Sequence, residues 1–586
     1  MPEPVLSAPA PRSISHRITT HTHSHSSSTT PGVTMRTTLP RLGRLLAVSL
    51  SGLFLLTACS PGDNGTSTAA AGKPVRGGTL TTAVDTEPVS WDIHASTQDV
   101  TAEIQRGVFD SLVSQDASGK FHPWLATKWE VGADFKSYTF HLRKDVTFTD
   151  GARFDAAAVK ANFDHIVAKT TKSLYAANLL GPYTGTQVVD PYTAKVTFSK
   201  PFAPFLQAAS TTYLGFYSPK ALAADAGKLA AGGPADVGSG PFVFTSYTKG
   251  QSAVLTRNPD YDWGPATAAH TGPAHLDKLV VRFLPAASVR SGALTSGQVQ
   301  VAKAIPPQNV TTVKATPGLK LVSRAAPGGN YNLWLNASIA PLDDQRVRKA
   351  IQRGINIDQD VKTVTFGQYP RAWSPISPTT PDYDKTLEGS WPYDPEVSAQ
   401  LLDEAGWTGR DAQGYRTKGG KRLSVEWPQL SIQATREGRD ILGQAVQADL
   451  KKVGVEVKRP NLDIGTYNTK VYGGKANIID LSWPRFDPDV LWLFFNSGSA
   501  PAKGGINATF LTDPSFDTWT DQGRATLDEK VRADVYPKVQ QRAIDLAVVV
   551  PLYTQVSLVG QSDRVKGLTF NASNWLTFYD AWLVSK

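Results

Sequence analysis

The chain has 586 residues, of which 41% are hydrophobic and 19% charged, as is ordinary for a folded protein of several domains. The formal net charge of +9 includes an N-terminal leader with more arginine than glutamate, so the remainder carries only about +5 on scattered residues, which excludes a nucleic-acid-binding stripe. The single cysteine, Cys59, excludes an internal disulfide and a cysteine-based zinc site.

Residues 1–34 are rich in Ser, Thr, Pro and His and have no apolar periodicity. Their alternating histidines, which are candidates for metal binding, are His21, His23 and His25. The only methionines are Met1 and Met35, and a complete export signal begins at Met35. We therefore interpret 1–34 as an over-extended, disordered N-terminus, although the choice between Met1 and Met35 stays open at this point.

Residues 35–58 have the layout of an export signal, in which a basic stretch precedes an apolar run and small residues. The apolar run is shorter than the span of about 20 residues that crosses a membrane. Leu56-Thr57-Ala58-Cys59 resembles a bacterial lipobox. This resemblance implies diacylglyceryl transfer to the Cys59 thiol, cleavage before Cys59 and anchoring through the acyl chains. Residues 59–75 are small and polar and predict a flexible tether.

The folded body is predicted to begin with a strand after a glycine turn at Gly77 and Gly78. Apolar periodicity then predicts helices over 101–112 and 155–168 and half-buried strands over 138–142 and 194–198. The later apolar runs, Val490–Phe495 and 546–550, are too short for a membrane span and fit buried elements better.

The second half alternates helices with short strands. Asp394 is a predicted N-cap with Pro395 in the first helical turn, and Gly406 is a predicted stop. An apolar stripe over 442–453 predicts a further helix, ended by Gly454 and followed at once by a strand over 455–457. This alternation predicts an α/β fold built of layers.

A set of motifs follows in a fixed order along the body. These are Glu87-Pro88-Val89-Ser90-Trp91-Asp92, Val108-Phe109-Asp110-Ser111-Leu112-Val113, Phe121-His122-Pro123-Trp124-Leu125, Val146-Thr147-Phe148-Thr149-Asp150-Gly151, Gly238-Ser239-Gly240-Pro241-Phe242, Arg257-Asn258-Pro259-Asp260-Tyr261, Leu342-Asp343-Asp344-Gln345-Arg346-Val347-Arg348 and Leu401-Leu402-Asp403-Glu404-Ala405-Gly406-Trp407. Together they resemble family 5, the peptide/nickel class, of the solute-binding proteins of ABC importers. The resemblance covers nearly the whole chain after the tether.

This resemblance implies a two-lobed fold of the periplasmic-binding-protein type, with hinge crossovers and an additional inserted subdomain. The expected partition is 76–97, 238–310 and 551–586 in lobe I, 98–237 as its inserted subdomain, and 311–550 in lobe II. It also implies a monomer that has no cofactor and no catalytic activity. The expected partners are a small solute buried between the lobes, the permease of an ABC importer, and the membrane reached through the lipid anchor. The expected location is the outer face of the cytoplasmic membrane, or the periplasm.

In peptide-binding relatives, a Trp-x-x-Asp stretch of lobe II holds the α-ammonium of the ligand. The matching stretch here, from Leu481 to Asp489, departs from that pattern, because Phe486 stands in place of the acid and Arg485 adds a cation. A guanidinium fork suits a carboxylate or phosphate, so we expect Arg485 to favour a solute with an anionic group. The alternative, that Arg485 pairs with Asp487 or Asp489 and is structural, stays open.

The other candidates for solute contact rest on weaker arguments. Trp483, Trp373 and Tyr331 are candidate cleft-lining aromatics, although core packing is the usual role of such residues. Glu87 follows the first strand, where relatives bring a loop to the ligand, and its alternative is a solvated loop acid. His94 lies in the same loop, but a lone histidine is weak support for a metal-chelate ligand, and no metal site is expected.

Two rival functions remain open at this point. An exported hydrolase would need catalytic residues, but neither a Gly-x-Ser-x-Gly elbow nor a His-Glu-x-x-His motif occurs in the sequence. A triad assembled only in space would leave no such motif. A lipoprotein receptor that presents its solute to a sensor rather than to an importer would have the same sequence features.

Overall fold

The computed structural model of the protein describes residues 73–225, 227–431 and 436–584. The predicted export signal, the lipidation site Cys59 and most of the predicted tether lie outside these residues. The described residues form a mixed α/β fold, which confirms the predicted fold class.

The largest sheet has seven strands and is mixed parallel and antiparallel. In spatial order the strands are Leu319–Ala325, Val556–Ser562, Val301–Ala302, Thr79–Val84, Lys278–Phe283, Ser252–Arg257 and Phe242–Thr248. We call this the first sheet. Its central strand, Thr79–Val84, is parallel to Lys278–Phe283 and to Val301–Ala302. Strands from distant parts of the chain therefore meet in one layer.

A second sheet of four antiparallel strands, in the order Ala126–Val131, Ser137–Leu142, Thr193–Phe198 and Tyr183–Asp190, is built entirely from the region predicted to be inserted. A third sheet has the order Ile478–Pro484, Gly328–Leu335 and Val549–Tyr553 and is also antiparallel. Smaller pairings join Val113–Gln115 to Phe121–Pro123, Arg416–Lys418 to Gly409–Arg410 and Lys421–Arg422, Ser424–Glu426 to Glu456–Lys458, Gln429–Leu430 to Asn461–Leu462, Val565–Lys566 to Trp582–Leu583, and Thr569–Phe570 to Leu576–Thr577.

Helices cover the sheets. The α-helices among the described residues are Asp99–Gln105, Ala156–Val167, Tyr175–Leu180, Phe205–Ala208, Pro219–Asp225, Ala287–Thr295, Val310–Ala315, Gln345–Gly354, Ile357–Val364, Pro395–Glu404, Arg439–Lys452, Ile464–Tyr472, Val490–Phe495, Pro514–Arg524 and Glu529–Asp545. The 3-10 turns are Thr212–Leu214, Leu229–Ala231, Pro307–Asn309, Lys385–Leu387, Arg436–Gly438, Ser497–Ser499 and Pro501–Lys503. Across the described ranges, no helix combines the length and the apolar composition that a membrane crossing requires.

The predicted N-cap and glycine stop of one helix are present in the structure. The Asp394 carboxylate accepts a hydrogen bond from the Val397 amide at 2.9 Å, and Asp155 caps the helix Ala156–Val167 in the same way. Gly406 has φ of 85°, in the left-handed region that favours glycine. These short-range signals depend only on neighbouring residues, which explains why the sequence shows them.

The predicted helix over 101–112 is wrong in extent, because the structure has a helix only over Asp99–Gln105. The carbonyl of Gly107 accepts a hydrogen bond from the Phe242 amide at 2.9 Å, and the carbonyl of Val108 accepts one from Gly240 at 2.8 Å. These carbonyls are committed to the loop that enters the first sheet, so the helical ladder does not extend over them.

Two hydrophobic cores organise the described residues. The first core lies between the first and second sheets and includes Leu80, Leu279 and Tyr138. The second core surrounds the third sheet, includes Trp334 and Ile478, and extends to Ala302 and Leu558 of the first sheet. We call the described residues of 73–325 and 556–584 lobe I, and those of 328–553 lobe II.

The chain passes between the lobes at two short connections. Residues 326–327 join the strand Leu319–Ala325 to Gly328–Leu335, and residues 554–555 join Val549–Tyr553 to Val556–Ser562. The amide of Ala326 donates to the carbonyl of Gln555 at 2.8 Å, so the two connections are hydrogen-bonded neighbours. The expected start of lobe II at residue 311 falls before the strand Leu319–Ala325, which pairs within the first sheet.

A pair of carboxyl groups lies between two helices of lobe II. Asp360, on Ile357–Val364, faces Asp449, on Arg439–Lys452, and burial together with the Asp449 charge raises the pKa of Asp360 to about 7. Asp449 accepts hydrogen bonds from the Asn356 amide and from Lys452, both at 2.7 Å. Asp360 therefore has the less stabilised carboxylate of the two, and its ionisation opposes folding.

We predict that Asp360→Asn stabilises the protein in a pH-dependent manner. In the folded state Asp360 keeps its proton to a higher pH than an ordinary aspartate does. The stability that the protonated carboxyl contributes is therefore present at low pH and is lost as the pH rises through about 7. The substitution should therefore raise the free energy of unfolding by about 1 to 3 kcal/mol at pH 8, after allowance for partial exposure, and far less at pH 5.

Thermal unfolding at both pH values measures this effect. Asp534→Asn is the matched control, because its carboxylate lies on an exposed helix face beside Lys538. An equal shift of the Asp360→Asn melting temperature at pH 5 and pH 8 would contradict the assignment.

Candidate functional site between the lobes

The loop predicted to hold the solute crosses the interface between the lobes. Trp483 packs against both hydrophobic cores, and its ring lies 4.7 Å from that of Tyr175 in lobe I. Further along, Phe486 lies directly over Gly119, where a Cβ atom would come within 2.6 Å of the phenyl ring. Residues 483–489 of lobe II therefore dock onto lobe I, and we call them the docking loop.

Arg485 is at the centre of the docking loop and is 1% exposed. Its Nη2 atom lies 3.3 Å from the Asp489 carboxylate, and its Nε donates to Gln207 Oε1 of lobe I, also at 3.3 Å. The ion pair with Asp489 is the one expected if Arg485 has a structural role. However, Nη1 and Nη2 have no hydrogen-bond partner among the described residues, so a buried guanidinium keeps donor capacity that the protein does not use.

The carboxylates of the docking loop are paired within lobe II. Arg532 lies 2.5 Å from Asp487, and Arg524 forms a two-pronged bond to Asp489 at 2.9 and 2.8 Å. Burial acts to raise the pKa of Asp487, but the charges of Arg532 and Arg485 outweigh it and hold that pKa below its ordinary value. Asp487 is therefore a charged, structurally committed group.

Tyr331 lies on the third sheet and is fully buried. Its hydroxyl donates to the carboxylate of Asp480, and the guanidinium of Arg439 lies 4.2 Å from its ring centre. Tyr553 packs against it at 4.8 Å on the neighbouring strand. These contacts place Tyr331 in a network of charged and aromatic groups beside the connection at 554–555.

Glu437 joins this network to the hinge. Its carboxylate accepts hydrogen bonds from the Tyr553 hydroxyl at 2.7 Å and from Gln555 Nε2 at 2.9 Å, and it pairs with Arg439 at 2.8 Å. Burial opposes its charge, but Arg439 and Arg436 prevail and lower the pKa of Glu437 to about 2. An ionised carboxylate is thus fixed at one connection between the lobes.

Glu87 and Trp373, which are also predicted to contact the solute, have other partners in the structure. The Glu87 carboxylate accepts hydrogen bonds from the Tyr247 hydroxyl at 2.6 Å and the Gly250 amide at 2.7 Å, both on the hairpin at the edge of the first sheet. The ring of Trp373 lies 3.2 Å from the Arg371 guanidinium and 5.4 Å from Trp391. Within the described ranges, no hydrogen bond, ion pair or ring contact joins Glu87 or Trp373 to the docking loop.

His94 is fully buried in lobe I. Its Nδ1 lies 3.0 Å from Nδ1 of His165, and its Nε2 lies 3.0 Å from the carbonyl of Gly215. Burial lowers the pKa of His94 to about 4, so it is neutral at physiological pH. Within the described ranges, no group of three or more His, Cys, Asp or Glu residues has the arrangement to hold a metal ion.

Several groups at the interface have no signal in the sequence that would mark them. Arg436, Glu437 and Arg439 stand within a short charged run that is typical of an exposed loop. Tyr175 begins a short helix, which gives no sign of what the side chain faces. Only the packing of lobe against lobe brings these residues to one place.

The family model for bacterial extracellular solute-binding proteins, family 5, matches residues 120–504. The chain belongs to this family. Curated relatives include heme-binding protein A of Haemophilus influenzae, 28% identical over 80% of this chain and 86% of the relative, and the dipeptide-binding protein of Escherichia coli, 29% identical over 71% and 78%.

Solved structures of the same family have the same fold. NikA from Brucella suis, in complex with Fe(III)-EDTA, has a TM-score of 0.74 and 27% identity over 86% of this chain and 100% of its own. DppA from Helicobacter pylori, in complex with the peptide STSA, has a TM-score of 0.75 and 26% identity over 87% and 98%. The predicted two-lobed, periplasmic-binding-protein-like fold is confirmed, and the protein is an extracellular solute-binding protein.

We predict that Glu437→Gln destabilises the protein by about 3 kcal/mol at pH 7, because it leaves the buried Arg439 guanidinium without its carboxylate partner. Because the pKa of Glu437 is lowered, the stability that its carboxylate contributes is present above the ordinary pKa of a glutamate. That stability is lost as the pH falls toward about 2. The difference from wild type should therefore shrink at pH 3.

Urea unfolding followed by tryptophan fluorescence measures the destabilisation at pH 7 and at pH 3. Glu404→Gln is the control, because it removes the same charge from an exposed position on a lobe II helix. A Glu437→Gln midpoint that equals that of Glu404→Gln at pH 7 would contradict the role assigned to Glu437.

Proposed function

We propose that this protein is exported, anchored to the outer face of the cytoplasmic membrane through Cys59, and acts there as a monomer. It captures a small solute between lobe I and lobe II and delivers it to the permease of an ABC importer. The docking loop carries this proposal, because it belongs to lobe II, contacts lobe I through Trp483 and Arg485, and lies beside the connections between the lobes.

Closure of the lobes is the physical basis of delivery. A solute held between the lobes loses water, and its polar contacts strengthen in the less polar surroundings. The two connections, 326–327 and 554–555, are short and adjacent, which suits a hinge motion. The permease then distinguishes the loaded, closed form from the empty, open form.

Arg485 is the proposed contact for an anionic group of the solute. Its Nη1 and Nη2 atoms donate no hydrogen bond within the described residues, which supports this role, and its ion pair with Asp489 and its bond to Gln207 support the structural alternative. Trp483 is the proposed apolar wall. For the remaining candidates, Asp487, Tyr331, Glu87 and Trp373, the contacts within each lobe support positioning of the cleft rather than direct recognition.

The named relatives suggest the size of the solute. A dipeptide-binding protein and a heme-binding protein are both similar to this chain over most of its length. We infer a small solute that is peptide-like or another small molecule. Stoichiometric binding without turnover separates this function from the rival hydrolase, and permease genes beside the coding gene separate it from a receptor for a sensor.

We predict that purified protein retains a solute from yeast extract in native mass spectrometry and that Arg485→Ala weakens retention by about tenfold or more, as expected for loss of a charge-assisted hydrogen bond. Arg485→Lys should recover only part, because an ammonium lacks the planar fork. Arg346→Ala, at an exposed position of lobe II, is the control. Unchanged retention by Arg485→Ala would assign Arg485 to structure alone.

The anchor generates a separate prediction. Wild-type protein expressed in a bacterial host should fractionate with membranes and carry a lipid mass at its N-terminus. Cys59→Ser should abolish that mass and release the protein from the membrane, because the thiol is the acylated atom. Ser60→Ala is the matched control. A Cys59→Ser variant that stays with the membrane as fully as wild type would rule out this anchor.

A further inference from the structure

A tight turn of lobe I forms a seat for Phe486 of the docking loop. The turn joins the strands Val113–Gln115 and Phe121–Pro123, and Gly119 lies in it with φ of 90°, in the left-handed region that favours glycine. A Cβ atom at Gly119 would lie 2.6 Å from Cε1 and 3.0 Å from Cζ of the Phe486 ring. The ring therefore occupies the space that any larger side chain at residue 119 would need.

Hydrogen bonds within lobe I hold this turn in one conformation. The Asp116 carboxylate accepts hydrogen bonds from the amides of Ser118 at 2.9 Å and Lys120 at 3.1 Å. The side-chain amide of Gln115 donates to the carbonyl of Gly119 at 3.0 Å. The seat is thus formed without a contribution from lobe II.

The docking loop is fixed to lobe II in a comparable way. Asp487, which follows Phe486, pairs with Arg532 at 2.5 Å and accepts a hydrogen bond from the Asp489 amide at 2.8 Å. Asp489 in turn is bound by Arg524 at 2.9 and 2.8 Å. The backbone that carries the Phe486 ring therefore belongs firmly to lobe II, and its contact with Gly119 joins two well-fixed parts.

Arg524 makes a second contact with lobe I. Its carbonyl accepts a hydrogen bond from the Ala203 amide at 2.8 Å, and its guanidinium lies 5.2 Å from the ring centre of Phe202. Arg524 also holds the docking loop through Asp489. Separation of the lobes at Phe486 would therefore break the hydrogen bond of the Ala203 amide as well.

We propose that Phe486 and Gly119 form a latch that controls how often the lobes open and thereby how fast a bound solute is released. The contact places an aromatic ring of one lobe against a glycine of the other, so it stabilises only the closed arrangement. A solute enclosed between the lobes escapes only when they separate. Gly119 therefore determines the lifetime of the loaded protein without having to touch the solute. This assignment rests on the proposed function and deepens it.

Hydrogen exchange at Ala203 reports the opening of the latch. Prolines flank Phe202 and Ala203 and have no amide hydrogen, so the segment 201–204 carries only the amides of these two residues. The Ala203 amide is bonded to lobe II and exchanges when the lobes separate. The Phe202 amide donates to the carbonyl of Phe135 within lobe I at 2.9 Å and is the internal control for folding.

Gly119→Asn is the test variant, because asparagine tolerates a left-handed backbone and its side chain would take the space of the Phe486 ring. We expect it to speed exchange at Ala203 by about tenfold or more and to leave Phe202 unchanged, because an overfilled contact opposes closure. Solutes taken up from yeast extract should be lost correspondingly faster in native mass spectrometry at successive times. Gly151→Asn is the matched control, because Gly151 has φ of 79° and no atom within 4 Å of a Cβ position.

Phe486→Ala supplies a second test that leaves the turn of lobe I unaltered. It should also speed exchange at Ala203, and adding Gly119→Asn to it should have little further effect, because no ring is left to displace. Equal exchange at Ala203 in Gly119→Asn and Gly151→Asn, or simple addition of the Gly119→Asn and Phe486→Ala effects, overturns the latch. Exchange is measured without solute, so either result leaves solute binding intact. Retention of nothing from yeast extract by the wild type contradicts the proposed function, and with it the role of the latch in release.

Discussion

The constraint on which this structure depends is that the chain passes between its two lobes only at two adjacent, hydrogen-bonded connections within the described residues. The lobes also pack on one another through the docking loop. Glu437 stands where this constraint is strongest, because its buried carboxylate bonds to Tyr553 and Gln555 at one connection and to Arg439 within lobe II. A charge held there fixes the network beside the hinge.

The distribution of ion pairs matches that constraint. Asp487 pairs with Arg532, Asp489 with Arg524 and Glu437 with Arg439, all inside lobe II, while Glu103 pairs with Lys303 inside lobe I. Contacts across the interface are of another kind: the Trp483 ring on Tyr175, the Arg485 bond to Gln207, and the Ala203 amide on the Arg524 carbonyl at 2.8 Å. Breaking a buried ion pair costs several kcal/mol, and separation of the lobes would break none of these pairs.

The interface also contains a polar group whose bonding capacity is not fully used. Arg485 in lobe II keeps guanidinium donors that no described residue accepts from. In the same loop, Trp483 contacts the ring of Tyr175 in lobe I, which in turn packs on Tyr213. These aromatic contacts join the two lobes beside Arg485.

Local signals in the sequence were sufficient for the elements with a clear cap, stop or apolar periodicity. The predicted N-cap at Asp394 and the glycine stop at Gly406 depend on residues a few positions apart, and ordered motifs along the body indicated the family. Prediction failed where a long-range contact decides the structure. The carbonyls of Gly107 and Val108 accept hydrogen bonds from residues that lead into the first sheet, and the helix is therefore shorter than predicted.

By itself, the sequence determined the α/β class, the family and the docking loop as the place to look. The tertiary structure alone decided what Arg485 contacts, which groups hold Glu87 and Trp373, and that Glu437 bonds to the connection at 554–555. The physical reason is distance along the chain. Hydrophobic periodicity and capping act over one or two turns, whereas the interface joins Gln207 to Arg485 and Glu437 to Gln555, whose proximity only the packing of the two cores creates.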